Sequence, residues 1–479
     1  MAGGQQGEGT APGRAGRLGP WLVAAVAGAL YAVLSCLRHE RYLSGMDLAI
    51  FGQVARRVAS GEAPYSEMKG ADYLIFGDHL HPVVLLLGLP WRLWGDPRSL
   101  LVAQAVCVAI AVAIVGRLAV GRLGTRLGLL LTVLLALSVG VQAAVVFDVH
   151  EVALGAPLVA LAGADFVRRR WNRTAIWVAL FPLVKEDMAV LVLGFALALL
   201  VAGRRRLAAA LAVWAGVALV LALRIIIPAL NPRGIYPYSG TTSVAPQHVW
   251  DSLVADGRGS ITVLVLVASA GLLSLRSPLV LAAAAPLGLR MASSNDSYWG
   301  LDYHYSLLPA VVLACAAVDG LARTRSQALL RATVGLSVAV AVWAVWTGPL
   351  VDEVERQLTP CARCADARAA PPRRPDRPAR APQLHRRGDP SPGVDAARPA
   401  HRHRAQCPRP GVVRGARRAL DRGGRLRAGL GARGVCGPAA VTSSSAVRDH
   451  RPHDHPACGD HPHAITTEAR CGPTTKPSP

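Results

Sequence analysis

LVAQAVCVAIAVAIVGRLAVGRLGTRLGLLLTVLLALSVGVQAAVVFDVHEVALGAPLVALAGADFVRRR, residues 101–170, decides the fold. Three apolar blocks follow one another. The connector after the first carries Arg117, Arg122 and Arg126. The next carries Asp148, His150 and Glu151, and the last carries Arg168, Arg169 and Arg170. About 20 apolar residues at 1.5 Å rise each match the ~30 Å hydrocarbon layer of a bilayer. Arginine at one boundary, with acid and imidazole at the other, marks a chain that crosses back and forth.

The same alternation extends outward in both directions. Candidate spans fall at 20–37, 99–117, 127–147, 152–168, 174–185, 187–203, 208–228, 261–275, 278–291, 304–321 and 332–349. The expected fold is therefore an all-α, polytopic integral membrane protein with about eleven transmembrane helices. Composition agrees, since 52% of residues are hydrophobic and 17% are charged. A soluble domain carries roughly 25% charged residues.

The net charge of +22 suggests nucleic acid until it is mapped. Residues 361–479 hold 23 Lys+Arg against 9 Asp+Glu, and most of the remaining excess sits in short connectors. That is where a membrane protein carries positive charge on its cytoplasmic side, so no nucleic-acid partner is expected. Arginine outnumbers lysine 49 to 3, which reflects a GC-rich genome.

Arg14 and Arg17 precede the first span, and no small-residue cleavage site appears before Arg38-His39-Glu40-Arg41. Residues 1–19 thus read as a cytoplasmic segment before a retained first helix. With the N-terminus inside, five arginine groups fall inside together: 117–126, 168–173, 204–206, Arg276 and 323–331. Eleven crossings leave the C-terminus extracytoplasmic. The pattern holds only if HLHPVVLLLGLPWRLW, 79–94, does not cross. It is too short and is interrupted by Pro82 and Pro90, so it reads as a re-entrant or surface segment of a long outer loop, 38–98. Spans 174–185 and 187–203 are short, and read as a broken pair around Lys185-Glu186-Asp187.

Of six histidines before the tail, His79, His81, His150 and His304 lie at outer ends of apolar segments. Asp47, Asp78, Asp148, Glu151, Lys185, Glu186, Asp187, Asp296 and Asp302 share those ends. Ionisable groups at membrane depth are costly and tend to be paired and functional. Asp47 opens MDLAIFGQVARRVASGE, where Leu48, Phe51, Val54 and Val58 recur at helical spacing on a surface helix. Its carboxylate suits an N-cap or a catalytic role. The pairs Asp78/His79/His81 and Asp148/His150/Glu151 suit proton transfer or metal ligation, without the spacing of a known zinc site. A divalent metal stays open, and no cofactor is demanded. Lys185 and Arg290 are cations suited to a lipid phosphate. Tyr303 and Tyr305 read as part of an interfacial aromatic belt.

MDLAIFGQ, GDHLHPVVLLLGLPWRL, FDVHEVALGAPL, LVKEDMAVLVLG and DYHYSLLPAVVL stand in this order along the chain. Together they resemble the bacterial predicted membrane proteins called domain of unknown function 2079, over about residues 20–350. That family in turn resembles the GT-C membrane glycosyltransferases, which use polyprenyl-phosphate sugars and carry an essential acid in a long first outer loop. The resemblance implies that Asp47 is the first-loop acid, as base or acceptor-binding carboxylate, and that the stretch from His79 to Pro82 is similar to the juxtamembrane stretch of the class. Many GT-C enzymes pair two acids in that loop, whereas Asp47 follows Met46 and stands alone.

The expected activity is transfer of a sugar from a polyprenyl-phosphate donor to an acceptor on the outer face of the membrane. Asp47 is the expected catalyst. Asp78, His79, His81, Asp148, His150, Glu151, Lys185, Glu186, Asp187, Arg290 and His304 are the expected substrate-binding residues, with the donor and membrane lipids as partners. A transporter would need polar groups through the depth of the spans, where Arg224 is a rare exception. A non-catalytic scaffold would need no clustering of acid and imidazole.

From 351 onward the chain reads as a basic Arg/Pro-rich tail with no periodic apolar segment. It has the composition of a GC-rich gene read one base out of frame. A basic disordered tail is the alternative. Cys361 and Cys364 form half of a zinc motif with no second half at the required spacing.

Overall fold

Apolar runs without water to satisfy their backbone close their hydrogen bonds internally, and every candidate span is built on helix. The computed structural model describes residues 13–239 and 243–358. Among them there is no strand, only isolated bridges at Tyr65–Leu74 and Val244–Ser293. The tail readings from residue 359 on, with Cys361 and Cys364, lie outside the described residues. Residues 351–358, the first of the expected tail, lie in the helix Pro349–Leu358.

Among the described residues, four helices are long and apolar enough to cross a membrane: Gly16–Glu40, Arg98–Leu123, Arg205–Leu230 and Gln327–Leu358. Two bent pairs raise the number to six. Thr125–Ala136 with Val139–Val146 turns by 41°, and Pro246–Ala255 with Arg258–Ala270 turns by 76°. The second bend follows from Gly257, whose φ of +80° breaks the helix. The other expected spans map onto shorter helices, such as Glu151–Val167, Ala189–Val201, Val280–Met291 and Leu307–Ala322. Near 185–187 the expected break is present. Trp171–Ala179 ends, Lys185 is extended at φ −165°, and Ala189–Val201 begins after a 3₁₀ turn.

Pro228 shapes the Arg205–Leu230 helix. A proline has no N–H to offer the carbonyl four residues back and clashes with it. The ladder relaxes to a π segment over Leu221–Ile226, which contains Arg224. Elsewhere small residues let helices approach closely. A Cβ on Gly194 would sit 2.7 Å from the backbone of Ala282, so Ala189–Val201 and Val280–Met291 touch almost backbone to backbone.

The five arginine connectors meet at one end of the bundle. Arg323 lies within electrostatic reach of Arg122, Arg169 and Arg276, and Arg168 of Arg117 and Arg170. Arg204 stacks 5.1 Å over Trp171. At the other end, Met46–Ala59 is the expected amphipathic helix, with Leu48, Phe51 and Val54 buried. Here it is called α2, and Arg14–Glu40 α1. Pro82–Leu93 is one of the shorter apolar helices, as are Val280–Met291 and Leu307–Ala322, and Leu86, Leu89 and Leu93 are exposed on it.

Candidate active site

A cavity of about 590 Å³ lies at the end away from the arginines. It collects side chains from all five connectors at that end. Asp47, Asp78, His79 and His81 come from the long loop, and His150 and Glu151 from the turn after the bent pair. Lys185, Glu186 and Asp187 come from the helix break. Tyr236 and Tyr238 follow the π-containing helix, and Tyr298, Tyr303 and His304 precede Leu307–Ala322. Arg290 also lines it. His39 and His248, the two histidines not singled out, stand elsewhere, beside Ser44 and Asp251 respectively.

At its centre is Glu151, 1% exposed at the start of its helix. Lys185 Nζ stands 2.9 Å from its Oε1, His150 Nδ1 3.0 Å from its Oε2, and His81 Nδ1 3.9 Å away. These charges are close without being aligned. Both Glu151 oxygens, both His81 ring nitrogens, and Nδ1 of His150 and of His304 are buried with no hydrogen-bond partner. These six are most of the eleven such atoms among the described residues. A buried imidazole nitrogen left so costs about 1–3 kcal/mol, whereas the Glu151 oxygens are held by the Lys185 and His150 pairs. Stability alone therefore does not account for the cluster, and its free polar atoms border a space where a bound molecule can satisfy them. His150 and His304 stack with centroids 3.4 Å apart. Burial pushes the His81 imidazole down to about 4, so at neutral pH it is an uncharged donor and acceptor.

A second set of contacts holds the loop over the cavity. Glu186 takes His79 Nδ1 at 2.6 Å and the Leu80 N–H at 3.0 Å. His79 stacks on Tyr238 with centroids 4.6 Å apart, and the Tyr238 hydroxyl donates to Asp78 at 3.0 Å. Lys69 pairs with the other Asp78 oxygen at 2.7 Å. Arg290 donates to the carbonyls of Tyr298, Gly300 and Tyr305 and to the Ser306 hydroxyl. It thus clamps the loop 298–306, with little donor capacity left for a phosphate.

Asp47 differs from these. It is half-buried, lines the cavity, and has no hydrogen bond or ion pair among the described residues. Burial raises its carboxyl above the ordinary range, with His150 pulling it back and Asp148 and Glu151 adding to the rise. It does not cap its own helix. Asp148 does so from about a hundred residues away, accepting the Gly45 N–H at 2.9 Å and, more loosely, the Leu48 N–H at 3.5 Å. Asp148 is 1% exposed, receives Arg38 Nη1 at 3.0 Å, and is not a cavity residue. Asp187 is exposed within the cavity and has no hydrogen bond or ion pair either.

The geometry brings together every expected site residue except Asp148. It adds Lys69, Tyr236, Tyr238, Tyr298, Tyr303 and Tyr305. Lys69 had the same signal as Lys185, rarity in an arginine-dominated chain. Among the described residues no group of three or more His, Cys, Asp or Glu is arranged to hold a metal ion.

This chain belongs to the family described as predicted membrane protein (DUF2079), which matches residues 38–355. No curated protein and no solved structure matches it. The chain is a helical, multi-pass membrane protein.

Proposed function

We propose that this member of the family is a membrane glycosyltransferase of the GT-C type. It moves a sugar from a polyprenyl phosphate to an acceptor at the outer face of the cytoplasmic membrane. The eleven apolar segments cross the bilayer, the arginine end faces the cytoplasm, and the cavity faces out. One observation carries the reading: a half-buried carboxylate, Asp47, with no hydrogen bond or ion pair among the described residues, faces a cavity that also holds Lys185 and imidazoles with open ring nitrogens.

The chemistry follows from those groups. Asp47 takes the proton of the acceptor hydroxyl as its oxygen attacks the anomeric carbon. The bond from that carbon to the phosphate oxygen breaks, and the polyprenyl phosphate leaves with the electron pair. Lys185, with N–H groups of His81, His150 and His304, stabilises the charge on the departing oxygen. The tyrosines offer flat apolar faces and hydroxyls to a sugar ring.

The test is transfer by purified, reconstituted protein given polyprenyl-phosphate sugars. Asp47→Asn is expected to lower the rate by about 10²–10⁴-fold, the usual worth of a positioned base. Equal transfer by both proteins removes Asp47 from the mechanism. No transfer by the wild type with any donor favours transport or scaffolding.

A further inference from the structure

The geometry points to Arg38 and Glu353 as positioning residues for Asp47, acting through the buried carboxylate of Asp148. Arg38 lies in the last turn of α1, its side chain 15% exposed. One of its nitrogens, Nη1, donates to Asp148 Oδ1 at 3.0 Å. Another, Nε, faces Glu353 Oε2 at 3.9 Å and makes no hydrogen bond. Glu353 is fully buried although it sits on the short helix Pro349–Leu358, the last among the described residues. Within that helix it accepts Gln357 Nε2 at 2.6 Å and Arg356 Nη1 at 3.3 Å.

Two buried carboxylates thus share one arginine. Asp148 holds the amide end of α2, and Glu353 faces a second nitrogen of the same arginine at 3.9 Å. A carboxylate buried this deeply is tolerated only when paired, so moving any one of the three shifts the others. The amide end of α2 is also built for contact. A Cβ on Gly45 would lie 2.7 Å from Asp148 Oδ2, so this position leaves no room for a side chain unless Asp148 moves. Asp47 follows two residues later, and its direction into the cavity is fixed by the turn that Asp148 caps. The helix Pro349–Leu358 is held from outside as well, because the Arg41 guanidinium donates to the carbonyls of Arg356 and Gln357.

The consequence is that the seating of Pro349–Leu358 is read out at Asp47, although nothing on that helix lines the cavity. For its effect on catalysis the inference rests on the transferase reading. The mechanical link does not, and the experiment separates them.

Amide hydrogen exchange on the full chain in detergent or nanodiscs reads the link directly. Glu353→Gln keeps the side chain's shape and removes its charge. Exchange at Gly45–Leu48 is expected to rise about tenfold, while exchange in Leu307–Ala322 stays as in the wild type. Arg41→Ala loosens Pro349–Leu358 without touching a buried charge, and a smaller rise confined to the same segment is expected. Unchanged exchange at Gly45–Leu48 in both variants overturns the inference, as does a rise spread evenly over all helices. In the transfer assay, Glu353→Gln is expected to lower kcat by up to about a hundredfold with KM unchanged, the cost of a misplaced catalytic group. A change in KM alone overturns the positioning role. If the wild type transfers no sugar, the transferase reading fails, and the exchange result still decides the link.

Discussion

At the arginine end, Asp165 accepts Arg173 Nε at 2.9 Å and Trp177 Nε1 at 3.0 Å, with Arg170 at 3.6 Å. Asp319 accepts the Ser277 hydroxyl at 2.6 Å and Arg323 Nε at 3.1 Å. Both carboxylates are buried, and both have their hydrogen bonds made. At the cavity end, Glu151 is as deeply buried but is held by ion pairs rather than aligned hydrogen bonds, and among the described residues Asp47 has no hydrogen bond or ion pair. Glu151 and Asp165 lie on one helix, fourteen residues or about 21 Å apart. The same residue class in the same helix is satisfied at one end and left open at the other. A satisfied buried acid fastens a fold, whereas an unsatisfied one beside a cavity is kept for a ligand.

That contrast can be broken most sharply at Asp148, an acid of the cavity end that, like Glu186 and Asp78, has its partners in place. Asp148→Ala leaves Arg38 largely buried with its charge less compensated and uncaps α2. The expected loss is about 3–5 kcal/mol, read as a lowered unfolding midpoint in detergent. A loss no larger than that of a surface substitution would show that Asp148 is not a fastening residue.

Acidification tests the open end. The folded His81 imidazole titrates near 4 against 6.5 unfolded, so between those values the unfolded chain binds more protons. Stability from this group is intact above pH 6.5 and falls by up to about 1.4 kcal/mol per unit as pH drops through that window. Asp47 is shifted the other way, upward, and works against the trend. Comparing wild type with His81→Leu therefore isolates the imidazole. The variant's stability is expected to fall less steeply between pH 6.5 and about 4, and parallel curves would contradict the account.

Asp165→Ala is expected to cost about 1–3 kcal/mol, because the Trp177 N–H is left without its acceptor while Arg170 and Arg173, both about half exposed, return to water. Transfer per folded molecule should not change. The smallest effect is expected from Tyr238→Phe. It removes one hydrogen bond to Asp78 and leaves the ring stacked on His79, for about 0.5–1.5 kcal/mol. A larger loss would show that the hydroxyl contributes more than a loop contact.

Much of this layout was legible in the sequence. Helical class, the surface helix after Asp47, the break at Lys185-Glu186-Asp187 and the convergence of His79, His81, His150 and His304 follow from local periodicity and from which boundary each polar residue occupies. What was not legible depends on partners distant in sequence. Asp148 looked like a site residue because it adjoins His150, but Arg38 claims it across 110 positions. The carbonyls of Tyr298, Gly300 and Tyr305 that Arg290 holds likewise carry no local signal in the sequence. Asp165 and Asp319 sit inside apolar helices and carry no motif. Tyr303 and Tyr305 read as interface anchors, and only folding shows them facing one cavity with Tyr236, Tyr238 and Tyr298.

The central claim is that the open cluster faces one side of the membrane and the arginines the other. Single cysteines at Ser239, near the cavity, and at Arg325, beyond Asp319, probed with a membrane-impermeant thiol reagent in intact cells, test it directly. The account predicts labelling at 239 in intact cells and at 325 only after permeabilisation. Equal labelling of both without permeabilisation, or the reverse order, would contradict it.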